Sequence, residues 1–242
     1  MKAFYDWYDE ILVHIRENGL RNLSEYEYNG ANPFSTFTDI TKSKQSLKDF
    51  SYSDFKHGDE FQFLSMDLIY AISIIELLHP KINDAVNEDG TYMQTVEDHI
   101  YLRYAGYALQ TIYSFWDRIG DFLDIFYETK QKNDIYISRV FQRFPEEHRS
   151  NTFEKLKKLY EDNVLPILEE RHQVVHGFTL KGRYYWEVIE YGRENPDKLK
   201  ALQEEKSSYP NTFRKQLDFM FEGFRLALTL VSELPNKEIN IC

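Results

Sequence analysis

Cysteine is almost missing from this chain: the only one in 242 residues is the last, Cys242. A disulfide framework and a cysteine-based zinc cage are both excluded. Glycine (10) and proline (7) are sparse, and there is no glycine-rich phosphate loop, internal repeat or low-complexity run. The longest strongly apolar stretch, Leu68 to Ile75, falls well short of the ~20 residues of a membrane span, so no membrane partner is expected. The first ten residues, MKAFYDWYDE, carry three acids and no apolar run, which reads as the absence of a secretory signal. A soluble protein of the reducing cytoplasm is the expectation.

Positive charge is also in deficit, with 29 Lys and Arg against 40 Asp and Glu and a net charge of −11. That excludes a protein that coats nucleic acid non-specifically through a basic footprint. The deficit is local, however. Residues 51–100 hold ten acids against Lys56 and Lys81, whereas residues 101–242 hold 22 acids and 21 bases. A positive site in the C-terminal part, and an RNA substrate for it, remain compatible with the composition.

What is abundant is aromatic and periodic. Tyr and Phe number 18 each, far too many for a disordered segment. Apolar residues recur every three or four positions, the helical period. Helices are expected over 3–17, ending near Gly19; over 59–78, ending at Pro80; and over about 92–127, where Met93, Val96, Ile100, Tyr104, Ala108 and Ile112 begin an inward stripe of ~50 Å. A short helix near 135–143 follows. Another is expected from Asn151 to His176, capped by Asn151 and Glu154 and kinked or restarted at Pro166. The last covers 211–234 with Pro210 at its entry. Residues 20–57 read as an aromatic loop packed on the core, and RYYWEVIEY (183–191) has the propensity of a short extended piece. The expected fold is all-α, a bundle of about five to seven helices with a long central helix, in a single domain over 1–242 whose residues 1–91 supply N-terminal helices and the packed loop.

Chemistry concentrates in Glu169-Glu170-Arg171-His172-Gln173-Val174-Val175-His176-Gly177. Arginine offers a charged fork that fits phosphate oxygens, and histidine moves protons near neutral pH. Residues five apart on a helix diverge by ~140°. Arg171 and His176 therefore cannot grip one atom together; they can line a groove or converge across a two-fold axis with a second copy.

Arg171-His172-Gln173-Val174-Val175-His176-Gly177 resembles the R-x4-6-H signature of the HEPN superfamily, in its common form Arg–polar–x–x–Val–His–Gly, with His172 where many members carry Asn. The resemblance covers about residues 92–234 as a HEPN-like core. It implies an all-helical, homodimeric, metal-independent endoribonuclease of a stress, toxin–antitoxin or antiviral defence type, acting on single-stranded RNA and sparing DNA, with no cofactor. Arg171 would bind the scissile phosphate, His176 would act on the 2′-OH and the leaving oxygen, and His172 would orient phosphate or partner. A regulatory protein partner is also implied. The subgroup whose Tyr two residues past the His is modified by a nucleotidyltransferase is not matched, because Phe178 stands there. A HEPN-like binding or interaction module without turnover is the alternative.

Plainer readings stand beside these. Arg171 and His176 could simply cap a solvated helix end. His172 and His176, four apart with Glu187 or Glu190 as a third ligand, resemble a zincin pair, but Gln173 replaces the general base that H-E-x-x-H supplies, and no metal is expected. Asp117 and Asp121 could hold the Arg171 guanidinium or belong to an acidic face. Tyr184, Tyr185 and Trp186 could stack an unpaired base or serve packing. Gly120 marks a close helix crossing. The other histidines, His14, His57, His79, His99 and His148, have no partners at meaningful spacing.

Overall fold

The computed structural model of the chain describes residues 2–28, 30–44, 52–83, 92–127, 129, 136–168 and 179–236. The fold is all-α: among these residues there are eight α-helices, a further helical segment at 165–168 and three 3-10 turns, and no strand. The helices are α1 (Lys2–Glu17), α2 (Pro33–Ser43), α3 (Tyr52–Leu78), α4 (Val96–Tyr127), α5 (Ile137–Arg143), α6 (Asn151–Asn163), α7 (Leu180–Glu194) and α8 (Pro196–Ser232). They form two compact units. One comprises Met1–Leu20, Asp67–Thr111 and Ile167–Gln216; the other comprises Arg21–Met66, Ile112–Pro166 and Leu217–Cys242.

In the first unit, α1 stops where expected, at Gly19, whose φ of +63° is a left-handed conformation that glycine adopts without penalty. Glu76 of α3 joins three elements. It accepts from His14 of α1 at 2.7 Å and from both Nε and Nη2 of Arg214 of α8, while Arg214 Nη1 donates to the Asn18 carbonyl. The segment Gly58–Lys81 has a mean hydropathy of 1.6 and is long and apolar enough to cross a membrane. In this fold its Leu68, Ile72 and Ile75 are fully buried in protein.

In the second unit, Tyr28 and Phe37 of the stretch 20–57 pack inward while Tyr26 is exposed, and part of the stretch is helical. Asn32 caps α2 by accepting from Phe34 N at 2.8 Å, and Pro33 occupies the first helical position. Phe37 is 2% exposed, its ring 5.1 Å from that of Phe122 and 6.5 Å from that of Phe61. Gly120 does mark a close crossing: a Cβ there would stand 3.2 Å from the Ile137 Cα of α5. Gly223 of α8 is closer still, since a Cβ would overlap the buried ring of Trp116.

Several boundaries differ from expectation. The cap of α6 is Ser150, not Asn151. The restart expected at Pro166 is present, since that helix ends at Asn163 and helical structure resumes at 165–168. The central helix begins at Val96, and Met93 and Val96 are 75% and 69% exposed instead of inward. Residues 183–191 are not extended but lie within α7. There, Leu180, Tyr184 and Val188 sit four apart and are buried at 3%, 3% and 1%, so packing along one helical face overrides the strand propensity of the local Tyr-Tyr-Trp. Finally, α8 starts at Pro196 and carries Pro210 in its interior. Proline lacks the N–H that would bond the carbonyl four residues back. That carbonyl, Lys206 O, is taken instead by the Tyr101 hydroxyl at 2.6 Å.

Candidate functional site

Arg171, His172 and His176, with Phe178, lie outside the described residues. Their flanks are described: Leu168, 7% exposed, and Thr179, which opens α7. A peptide link spans at most ~3.6 Å, so three links keep the His176 Cα within ~11 Å of the Thr179 Cα, and likewise Arg171 of Leu168. The C-terminal end of the motif is therefore tethered to the start of α7.

That start faces α4 across a groove in the first unit. Three adjoining pockets, of about 440, 430 and 330 Å³, share the same walls: all include Lys181, two include His99 and two include Arg103. His99 and Arg103 lie four apart on α4, so their side chains leave the same helix face. The backbones meet closely where Gly106 would bring a Cβ to 3.8 Å from Leu180 Cβ. Gln94, which precedes α4, donates to the Lys181 carbonyl and ties the two elements at the groove's edge. Among the described residues no carboxylate lines any of the three pockets. Among the described residues His99, Arg103 and Lys181 make no ion pair. The Thr179 hydroxyl caps α7 by accepting from Gly182 N at 3.2 Å, and the helix N-terminus adds partial positive charge to the same end.

A buried ion pair holds the groove's walls. Lys206 Nζ contacts Asp98 Oδ1 at 2.6 Å with both side chains at 0% exposure. Lys206 also donates to the Asn83 carbonyl at 3.1 Å and lies 4.8 Å from the centre of the Tyr184 ring. Asp98 accepts from Thr95 N, Thr95 Oγ1 and Asn83 N. This one pair fixes the first turn of α4, the inner face of α7 and the middle of α8. On α7 itself, Arg183 bonds Glu187 at 3.2 Å and Glu205 of α8 at 3.1 Å; the two carboxylates hold its guanidinium charged against the cost of its burial.

The remaining candidates scatter. Tyr184 is 3% exposed, edge-on to Tyr92 and against Lys206, so it is closed to a stacking base and belongs to the core. Tyr185 is half-buried and lines the groove, and Trp186 is 56% exposed. Asp117 and Asp121 belong to the second unit. Asp117 is buried and raises the Tyr160 hydroxyl's pKa, while Asp121 pairs with Arg118 at 2.8 Å. Glu187 is engaged by Arg183 and Glu190 is exposed; no group of three metal-ligating side chains occurs among the described residues. A separate cavity of about 200 Å³ in the second unit, flanked by the tilted ring pair Tyr26 and Phe221, has Glu27, Asp218 and Glu222 against Arg225 in its wall, an acidic excess. His99 was the residue hardest to see in sequence. The signal was its spacing of four from Arg103; Lys181, 78 positions on, could be added only by the fold.

A family model described as Cthe2314-like HEPN matches residues 64–232, more than half of the chain and inclusive of Arg171 to Gly177. The comparisons with curated proteins and with solved structures give no match.

Proposed function

Because the chain belongs to the Cthe2314-like HEPN family, we propose that it is a metal-independent endoribonuclease whose cleavage chemistry resides in Arg171 and His176. The observation that carries this reading is the Arg171–His176 pair inside the matched stretch, with His176 three links from Thr179 in the wall of a groove whose described lining has His99, Arg103 and Lys181 and no carboxylate. Arg171 binds the scissile phosphate and neutralises charge as it builds on the phosphoryl oxygens. One His176 imidazole accepts the proton of the ribose 2′-OH; the 2′-oxygen forms a bond to phosphorus as the bond to the 5′-oxygen breaks. The leaving oxygen takes a proton from an imidazolium, and the products are a 2′,3′-cyclic phosphate and a 5′-hydroxyl. On the helical spacing read from the sequence, Arg171 and His176 diverge by ~140°, so the proposed site takes its second His176 from a homodimer. His172 orients the phosphate or the partner chain. DNA, lacking the 2′-OH, is spared. The setting is a cytoplasmic stress, toxin or antiviral response with a regulatory protein partner.

The test is cleavage of a labelled single-stranded RNA in EDTA by wild type, Arg171→Ala, His176→Ala and His172→Asn, with thermal melts alongside. Loss of a general acid–base group removes ~10²–10⁴ in rate, so His176→Ala falls by at least that factor, Arg171→Ala falls similarly, and His172→Asn keeps most of its activity. Equal cutting by wild type and His176→Ala sinks the assignment. Absence of cutting by wild type, with RNA still bound, moves the protein to a binding module.

A further inference from the structure

We infer that the groove between α4 and α7 is a phosphate track, in which Arg103 and Lys181, with His99, hold the backbone of the single-stranded RNA flanking the scissile bond. The inference rests on the proposed action on RNA and adds where the strand runs. Its first support is charge. In a protein of net charge −11, the cations Arg103 and Lys181, with the His99 imidazole, surround three adjoining pockets that no carboxylate of the described residues lines, and none of the three makes an ion pair among those residues. Unpaired like charges converging on a concave surface repel one another, and an anionic ligand relieves that repulsion; low-dielectric walls focus the field on it. The second support is shape. The pockets follow one another along α4 past Val96, Ile100 and Arg103, so they form a path and not a single socket. A linear polyanion suits a path. The third is the lining between the charges: Met93, 75% exposed, and Tyr185 offer polarisable and aromatic surface on which bases rest regardless of sequence. An acidic peptide would leave those surfaces without a matching partner. The fourth is tethering, since Thr179 lines the same groove and stands three links from His176.

The test separates binding from cleavage. The full-length chain is titrated against a labelled, uncleavable 2′-O-methyl single-stranded oligonucleotide by fluorescence anisotropy over a series of salt concentrations. Each cation neutralising a phosphate contributes ~0.7 to the slope of log K against log salt for a single strand. Arg103→Gln therefore lowers the slope by ~0.7 and the pair Arg103→Gln/Lys181→Gln by ~1.4, with affinity down about tenfold or more for each lost charge-assisted bond. Lys158→Gln, an exposed cation of α6, leaves affinity unchanged. Arg103 is exposed and bonds to no described residue, so the single variant reports on binding even where the double variant fails to fold. Unaltered affinity and slope in Arg103→Gln overturn the track, even with RNA cleaved normally by wild type; so does a wild type that binds no oligonucleotide. Binding that depends on Arg103 in a protein that cuts no RNA upholds the track and overturns the catalytic reading alone.

Discussion

Lys206 ties several elements of the first unit together. Its ammonium is fully buried with Asp98, and a buried pair broken on one side leaves an uncompensated charge at a cost of ~3–5 kcal/mol. Lys206→Met keeps the stem's packing and strands Asp98, which retains its bonds from Thr95 and Asn83. The expected loss in urea denaturation is ~3–5 kcal/mol, with part of it recovered in Lys206→Met/Asp98→Asn. A loss below ~1 kcal/mol would show that the pair contributes no more than an exposed one. Two tyrosines of the second unit contribute to the alkaline limit. Burial, then Asp117 and Glu161, push the Tyr160 hydroxyl up to about 12; burial, then Glu233, raise Tyr127, whose hydroxyl donates to the Leu230 carbonyl. An unfolded tyrosine loses its proton near pH ~10. Below that both states are protonated and stability is unaffected; between about pH 10 and 12 the unfolded chain holds fewer protons, so stability falls. Melting midpoints measured from pH 8 upward should be level and then drop through that window, less steeply in Tyr160→Phe.

At the scale of the helix, Pro210 and Tyr101 form one device. Tyr101→Phe leaves the Lys206 carbonyl buried and unbonded, at a cost of ~1–3 kcal/mol. In a Pro210→Ala background the new alanine N–H reaches that carbonyl, and the cost of Tyr101→Phe shrinks. A double-mutant cycle measures the coupling, and additivity within ~0.5 kcal/mol would refute it. Helices as a class were readable from spacing where packing and propensity agree. The stripe Phe213, Leu217, Met220, Phe224, Leu228 and Val231 is buried throughout, because seven-residue recurrence of large apolar groups has one outcome on an α-helix. It was unreadable where they disagree. Tyr-Tyr-Trp favours a strand locally, but the burial of Leu180, Tyr184 and Val188 decides for α7. Pro210 signals a helix start until a hydroxyl from 109 positions earlier in the chain replaces the missing donor. The Arg171–His176 pattern was visible because it is contiguous. The groove beside it was not, because its walls come from α4 and α7 and only their packing joins His99 and Arg103 to Lys181.

For the whole molecule, the proposed cleft draws on Arg171 and His176 of two copies. Light scattering at micromolar concentration should give twice the 29.0 kDa chain mass. A solution mass of one chain, with cleavage intact, would remove the shared cleft from the mechanism. The division into two units has an optical consequence. Of the three tryptophans, Trp116 alone belongs to the second unit, where it is fully buried and its indole N–H finds no partner among the described residues. Trp7 and Trp186 belong to the first, and Trp186 is 56% exposed. Emission from Trp116 is accordingly blue-shifted and that from Trp186 red-shifted, so the two edges of one intrinsic fluorescence spectrum report on different units. Followed through a urea titration without any label, transitions that coincide at both edges mark one cooperative structure, and transitions that separate identify which unit yields first.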